Sequence, residues 1–152
     1  MPAATQSSFH FQSYKLVHCS FTENAHPLAE DLRYNVGLET KSSEAGPTDE
    51  GHRATVVTLK IWLQWQPEPG PFALEMVAEG VFTSDADMPI EQYRDLCEIH
   101  GPALIYTQFR PIARLLISES GQEFMLPLIN IGDTVRKMRA NQREAAPLLS
   151  TP

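Results

Sequence analysis

The stretch from Ala54 to Phe82 constrains the fold more than any other, because it holds two long runs of period-two hydrophobicity separated by one proline-rich turn. In "ATVVTLKIWLQW", Val57, Leu59, Ile61, Leu63 and Trp65 share one phase, while Thr58, Lys60 and Gln64 share the other with Trp62. Successive side chains of a strand point to opposite faces, so the run predicts one buried face and one partly wet face. "QPEPGP" turns the chain. "FALEMVAEGVF" then returns with Phe72, Leu74, Met76, Ala78 and Phe82 in phase and Glu75 and Glu79 out of phase. Runs joined this closely predict an antiparallel hairpin.

Weaker alternation lies upstream. "SFHFQSYKLVHCSFTE" puts Phe9 and Phe11 in one phase, Tyr14 and Leu16 in the other, then Val17, Cys19 and Phe21, which predicts a strand with a bulge or bend. After "TENAHPLAED", Leu32, Tyr34, Val36 and Leu38 give another strand, and "KSSEAGPTDEGH" reads as a mobile surface loop with no apolar anchor. Beyond Phe82 the period becomes helical. Ser84, Asp85 or Asp87 is expected to cap a helix with Pro89 in its first turn, Ile90, Tyr93, Leu96 and Cys97 on one face, and Gly101 as its stop. A longer helix is expected from Pro102, its stripe being Leu104, Ile105, Phe109, Ile112, Leu116 and Ile117, with a kink at Pro111. "GQEFMLPLINI" is apolar but rich in turn residues, and Asp133 is expected to cap a last helix through "TVRKMRANQREAA". Strands followed by helices predict an α+β fold: a four-stranded antiparallel sheet with a kinked long helix and a C-terminal helix. One domain over 1–152 is expected, with disordered tails at 1–7 and 146–152.

Charge and motifs narrow the function. The chain holds 12 Lys and Arg against 19 Asp and Glu, a net charge of −7, which repels nucleic-acid phosphates and anionic lipids and suits a basic or unselective polypeptide partner. Cys19 and Cys97 are too few for a disulfide framework, and no apolar run reaches the ~18 residues of a membrane span. The expectation is a cytoplasmic protein without membrane insertion. His18 and Cys19, with Cys97 and His100 at C-x-x-H spacing, could supply zinc ligands; the competing reading makes the cysteines small buried groups and the histidines incidental. The second is preferred, so no metal or cofactor is expected. "SDAD" lacks the rest of a calcium loop and reads as a helix start, while Arg136, Lys137, Arg139 and Arg143 read as a solvated face. Nothing nominates a nucleophile, so the chain is not expected to be an enzyme. Apolar strand faces, "FMLPLINI" and few helices together predict more hydrophobic area than one 17.0 kDa subunit hides, a signature of association or ligand binding.

The order of strands followed by "GPALIYTQFRPIAR", "LLIS" and "LPLIN" resembles the SecB family of protein-export chaperones over roughly Phe9 to Met138. The family helix carries Cys-Pro-x-x-Leu-Phe-Pro-Tyr-Ala-Arg, followed by a segment ending in Pro-Val/Ile-Asn-Phe. Pro102, Ile105, Tyr106 and Arg110 meet the first proline, Leu-Phe and the arginine, while Thr107 stands at the second proline. Ile129 and Asn130 meet the Val/Ile-Asn pair, with Leu128 and Ile131 replacing proline and phenylalanine. Gly80, Val81 and Phe82 meet a Gly-Ile-Phe strand end, and Leu32 stands where many members place a tryptophan after an aspartate, here Asp31.

The resemblance implies an ATP-independent holdase, a homotetramer built as a dimer of dimers, that binds unfolded precursor proteins in apolar grooves and hands them to the SecA motor. By position it implies a groove at Leu28, Leu32, Tyr34, Leu128, Ile131 and Val135, and motor docking at Glu75 with Glu23. Ser20 and Asn24 stand where the family places further acids. Some SecB-like proteins serve toxin–antitoxin systems, which is the alternative within the class. Outside it, the alternatives are a carrier enclosing a small hydrophobic ligand and a metal enzyme using His18, Cys19, Cys97 and His100.

Overall fold

The computed structural model describes residues 8–24, 32–47, 53–66, 68, 70–121 and 124–149. Strands β1 (Phe9–Glu23), β2 (Arg33–Pro47), β3 (Arg53–Gln66) and β4 (Phe72–Ser84) form one antiparallel sheet in the order β1-β4-β3-β2. Leu59 lies opposite Ala78 and Ile61 opposite Met76, so the in-phase residues of the β3–β4 hairpin share a face. That face is buried, and it meets the helices through Val57, Leu59, Ile61, Leu74, Met76 and Phe82. The other face carries no helix layer among the described residues, and there Lys60 Nζ lies 3.6 Å from Glu75 and 5.6 Å from the Trp62 ring.

β1 changes phase where its register slips, between Phe11 and Ser13 and between Leu16 and His18. Each slip inserts one residue, Gln12 then Val17, and so returns Tyr14, Cys19 and Phe21 to the helix-bearing face. β2 is longer than its hydrophobic pattern. Lys41, Ser42 and Ser43 pair with Thr58, Val57 and Val56, so residues 41–47 are strand where a loop was expected. Backbone pairing with the long β3 extends the strand without apolar side chains of its own. Residues 48–52 lie outside the described residues.

The helical residues from Ile90 to Glu119 are one continuous run. α1 (Ile90–Asp95) passes through a π-helical segment (Leu96–His100) into α2 (Gly101–Glu119). Gly101, expected as a stop, has φ −56 and continues the helix, its N–H donating to the Leu96 carbonyl five residues back. Pro102 explains the wider turn: it has no N–H, and in a regular α-helix its ring would press on the Glu98 carbonyl. Nor do Ser84, Asp85 or Asp87 cap α1. Pro89 holds the N-cap position with ψ 138 and no side-chain cap, because the turn closed by Met88 N–H on the Asp85 carbonyl at 3.2 Å delivers the chain there. Tyr93 O–H locks α1 to the sheet through Thr55 Oγ1 at 2.7 Å and the Phe82 carbonyl at 2.9 Å.

α2 lays Ile105, Tyr106, Phe109, Ala113 and Ile117 on the core, whereas Leu104 and Pro111 face outward. Pro111 therefore removes its backbone bond on the solvent side, where carbonyls find water. α3 (Ile131–Leu149) starts at Asn130, not Asp133. Asn130 Oδ1 accepts the Asp133 N–H at 3.0 Å while its Nδ2 donates to Asp133 Oδ2 at 2.9 Å, a reciprocal cap.

Candidate functional site: an apolar trough beside strand β2

α2 packs over β3, β4 and β1, whereas β2 meets the helical layer mainly at the π segment. Tyr34, Val36 and Leu38 face the same side as Trp65, Leu63 and Ile61, opposite which they pair, yet they stay only half-buried. With Leu32 they form an apolar row against the core, open along the outer edge of β2. Its near end is aromatic: the Tyr34 ring centroid lies 5.4 Å from Trp65 and 5.1 Å from Phe124, and Phe124 lies 5.3 Å from Phe72. Gly70, at φ 70, lets the β3–β4 turn press on this cluster, since a Cβ there would sit 2.2 Å from the Trp65 ring.

The far end opens into a cleft of about 410 Å³ between β2, the π segment and α3. Thr40, Ser42, Glu98, Val135, Met138, Arg139 and Gln142 line it. Arg139 bridges to Glu98 at 3.2 Å and to Asp95 at 3.5 Å, which ties α3 to the helical run. Thr40 Oγ1 is buried and has no hydrogen-bond partner among the described residues.

Phe124, at the start of the segment 124–130, walls the near end of the row, and α2 holds that segment. Tyr106 O–H donates to the Pro127 carbonyl at 2.7 Å, Arg110 Nε to the Leu126 carbonyl at 3.0 Å, and Arg110 Nη2 reaches Met125 Sδ at 3.3 Å. Burial pushes the Tyr106 phenol up to about 12, with Arg110 pulling it down and Tyr34 adding to the rise. Held this way, the segment buries Leu126 and turns Leu128 outward at 84% exposure.

The expected groove residues separate into groups. Leu32 and Tyr34 lie in the row, Leu128 lies instead at a cleft with His100, Ala103, Ile131 and Arg136, and Leu28 lies outside the described residues. Ile131 at 1% and Val135 at 3% exposure are packed into the core, where Gly132 brings the first turn of α3 close to Ile99. Buried as they are, they still form the floors of clefts, Val135 with Thr40 and Glu98 and Ile131 with Leu128 and His100. Glu75 projects from the bare face of the sheet beside Lys60, while the register sends Glu23 with Phe72 to the opposite face, so the two acids do not make one docking patch.

The metal alternative loses its geometry. His18 pairs opposite Val77 on the bare face, Cys19 opposite Met76 on the other, Cys97 is buried among the helices and His100 is exposed. Among the described residues no cluster of three or more His, Cys, Asp or Glu could hold a metal ion. Sequence patterning misses Thr40, Ser42, Glu98 and Arg139: Ser42 falls in the expected loop and Arg139 on the expected solvated face, while Thr40 and Glu98 carry no pattern of their own. The opposite charges of Glu98 and Arg139 were the one available signal.

A second apolar surface covers the outer side of α2. Leu115 is 62% exposed and Met125 46% exposed, and with Arg110, Pro111, Arg114 and Ser118 they line a cleft of about 430 Å³. No helix among the described residues is long and apolar enough to cross a membrane.

No protein-family model matches the chain, and no curated protein does. A solved structure from Streptococcus agalactiae, a protein of unknown function, is similar at 11% identity and TM-score 0.47, covering 83% of this chain and 100% of that one. The Mycobacterium tuberculosis Rv1957 SecB-like chaperone, solved in complex with a ChAD peptide from the Rv1956 HigA1 antitoxin, is similar at 17% identity and TM-score 0.63, covering 80% of this chain and 91% of that one. The four-stranded antiparallel sheet, the long helix and the C-terminal helix are those of a SecB-like fold.

Proposed function

We propose that this protein is an ATP-independent holdase that keeps unfolded polypeptides soluble by taking their apolar side chains into the trough beside β2. The observation that carries the reading is the row Leu32, Tyr34, Val36 and Leu38, which one subunit leaves half-open to water. The structural neighbour supports it, being a chaperone seen with a peptide. Leu28, Leu32, Tyr34 and Leu128 contact the client, over a floor that includes Ile131 and Val135. Each client side chain that becomes well buried contributes about 1.5–3 kcal/mol, and ordering a flexible client consumes much of it. Single-trough affinity is therefore modest. A cytoplasmic homotetramer, assembled partly through the exposed outer side of α2, presents several troughs and raises avidity by making later contacts intramolecular.

Between the two client pathways, the neighbour's antitoxin peptide and the separation of Glu75 from Glu23 favour an antitoxin client over delivery to SecA. The test is light scattering with size exclusion, followed by an aggregation assay on an unrelated denatured protein without ATP. Suppressed aggregation supports the reading, and a well-folded protein that leaves aggregation unchanged overturns it. Leu128→Asp, at a side chain that touches little of its own subunit, is expected to weaken holding without loss of stability.

A further inference from the structure

Charge is segregated on α2. From Gly101 to Ser118 it carries two arginines and no acid, in a chain whose Asp and Glu outnumber its Lys and Arg by 19 to 12. Both arginines line the outer cleft, and they are its only charged lining, the rest being Pro111, Leu115, Ser118 and Met125. Neither is neutralised by a carboxylate among the described residues. Arg110 commits Nε to the Leu126 carbonyl and Nη2 to Met125 Sδ, both uncharged acceptors, so its guanidinium is fixed in place and keeps its charge. Arg114 is exposed and has no hydrogen-bond or ion-pair partner among the described residues. The two stand four residues apart, a spacing at which like charges on a helix are unfavourable, and an anion between them offsets that cost. Beside them run Pro111 and Leu115, also four apart. The lining follows α2 for about 12 Å, and a cleft of about 430 Å³ suits a small molecule better than a partner helix.

We propose that this cleft binds a free single-chain anionic amphiphile, a medium-chain carboxylate in the simplest case, with its head between Arg110 and Arg114 and its alkyl chain along Pro111, Leu115 and Met125. Exposed ion pairs contribute little affinity, so the alkyl chain supplies most of the binding. The arginines supply the selectivity for sign. Met125 is flexible beyond its anchored sulfur and adapts to the chain it covers. The site does not depend on the holdase reading, but it bears on assembly: Leu115 and Met125 cannot cover a second subunit and an alkyl chain at once. The ligand therefore competes with subunit contact on this face.

The test uses decanoate, kept below micelle formation and titrated into the full chain by calorimetry at neutral pH. Saturable binding is expected, with decyltrimethylammonium, which has the same tail and the opposite charge, bound about tenfold more weakly. Arg114→Gln is expected to weaken decanoate about threefold and Arg114→Glu about tenfold, with unchanged circular dichroism because the side chain is exposed. Leu128→Asp, outside the cleft, should bind decanoate as the unaltered chain does. Equal binding by Arg114→Glu, or equal binding of the two amphiphiles, overturns the site. So does adsorption to phosphatidylglycerol vesicles without decanoate binding, which makes the arginines a membrane contact instead. Light scattering separates the site from the assembly reading. Decanoate should lower the mass of the unaltered chain and not that of Arg114→Glu. A particle that is a single subunit without ligand and still binds decanoate supports the site and removes the assembly reading alone; a larger particle that binds decanoate at constant mass overturns the competition.

Discussion

Tyr106 shows how a single side chain shapes the site. Its ring is buried against the sheet, and its hydroxyl holds the Pro127 carbonyl at 2.7 Å, so it fixes the segment from which Leu128 projects. Tyr106→Phe keeps the packing and removes that bond, at an expected cost of about 1 kcal/mol in denaturant unfolding. The phenol also predicts a pH effect. Its value rises from 10.0 to about 12 on folding, so the neutral form is favoured in the folded state. The stability it contributes is fully present below pH 10.0 and is lost as pH rises towards about 12, and thermal melts of Tyr106→Phe should fall less steeply across that window. An identical decline in both proteins would assign the alkaline loss elsewhere. The sequence placed Tyr106 by its motif position beside Ile105. It could not show the partner at Pro127, which comes close only because the chain turns back along α2 after Gly121.

At the scale of elements, the period-two runs of β3 and β4 were legible because both bury one face completely, and the two phase changes in β1 correspond to two real bulges. β2 was legible only as far as Leu38. Beyond it, pairing comes from β3 and leaves no hydrophobic trace, as Lys41, Ser42 and Ser43 show. The helices were misdivided for a related reason: Gly101 and Pro102 read as a stop and a start, but the chain absorbs them in a π turn. That turn is equivalent to one inserted residue, and the core fixes the helix faces on both sides of it through Tyr93 and Ile105. Deleting the exposed His100 should therefore restore α-helical spacing while keeping both faces, but it drives the Pro102 ring against the preceding turn at a cost of about 3 kcal/mol. The same deletion combined with Pro102→Ala should recover most of the loss in chemical denaturation. If the deletion is equally costly with either residue at 102, the proline is not the cause of the π turn.

For the whole molecule, the question is how apolar surface is shared between folding, assembly and clients. Ile131 and Val135 were expected in an open groove and are spent on the core, because α3 has few other apolar residues with which to dock. Ile131→Asp should therefore unfold or loosen α3 before it tests client binding, visible as a lower melting temperature. Among the described residues, the row beside β2 and the outer side of α2 around Leu115 and Met125 are two apolar areas left uncovered, with Leu16, Val17 and Leu128 exposed outside them. One sequence pattern cannot distinguish them, since both read simply as surplus hydrophobicity, and only the placement of the helices over β3 and β4 separates them. If α2 serves assembly and β2 serves clients, the two can be uncoupled. Leu115→Asp is expected to lower the mass seen by light scattering, leave the affinity for a short single-site peptide unchanged, and weaken holding of a long denatured client about tenfold or more, as avidity requires. A smaller particle that holds long clients as well as before would remove multivalency from the mechanism, and an unchanged mass would place the subunit contact on another face.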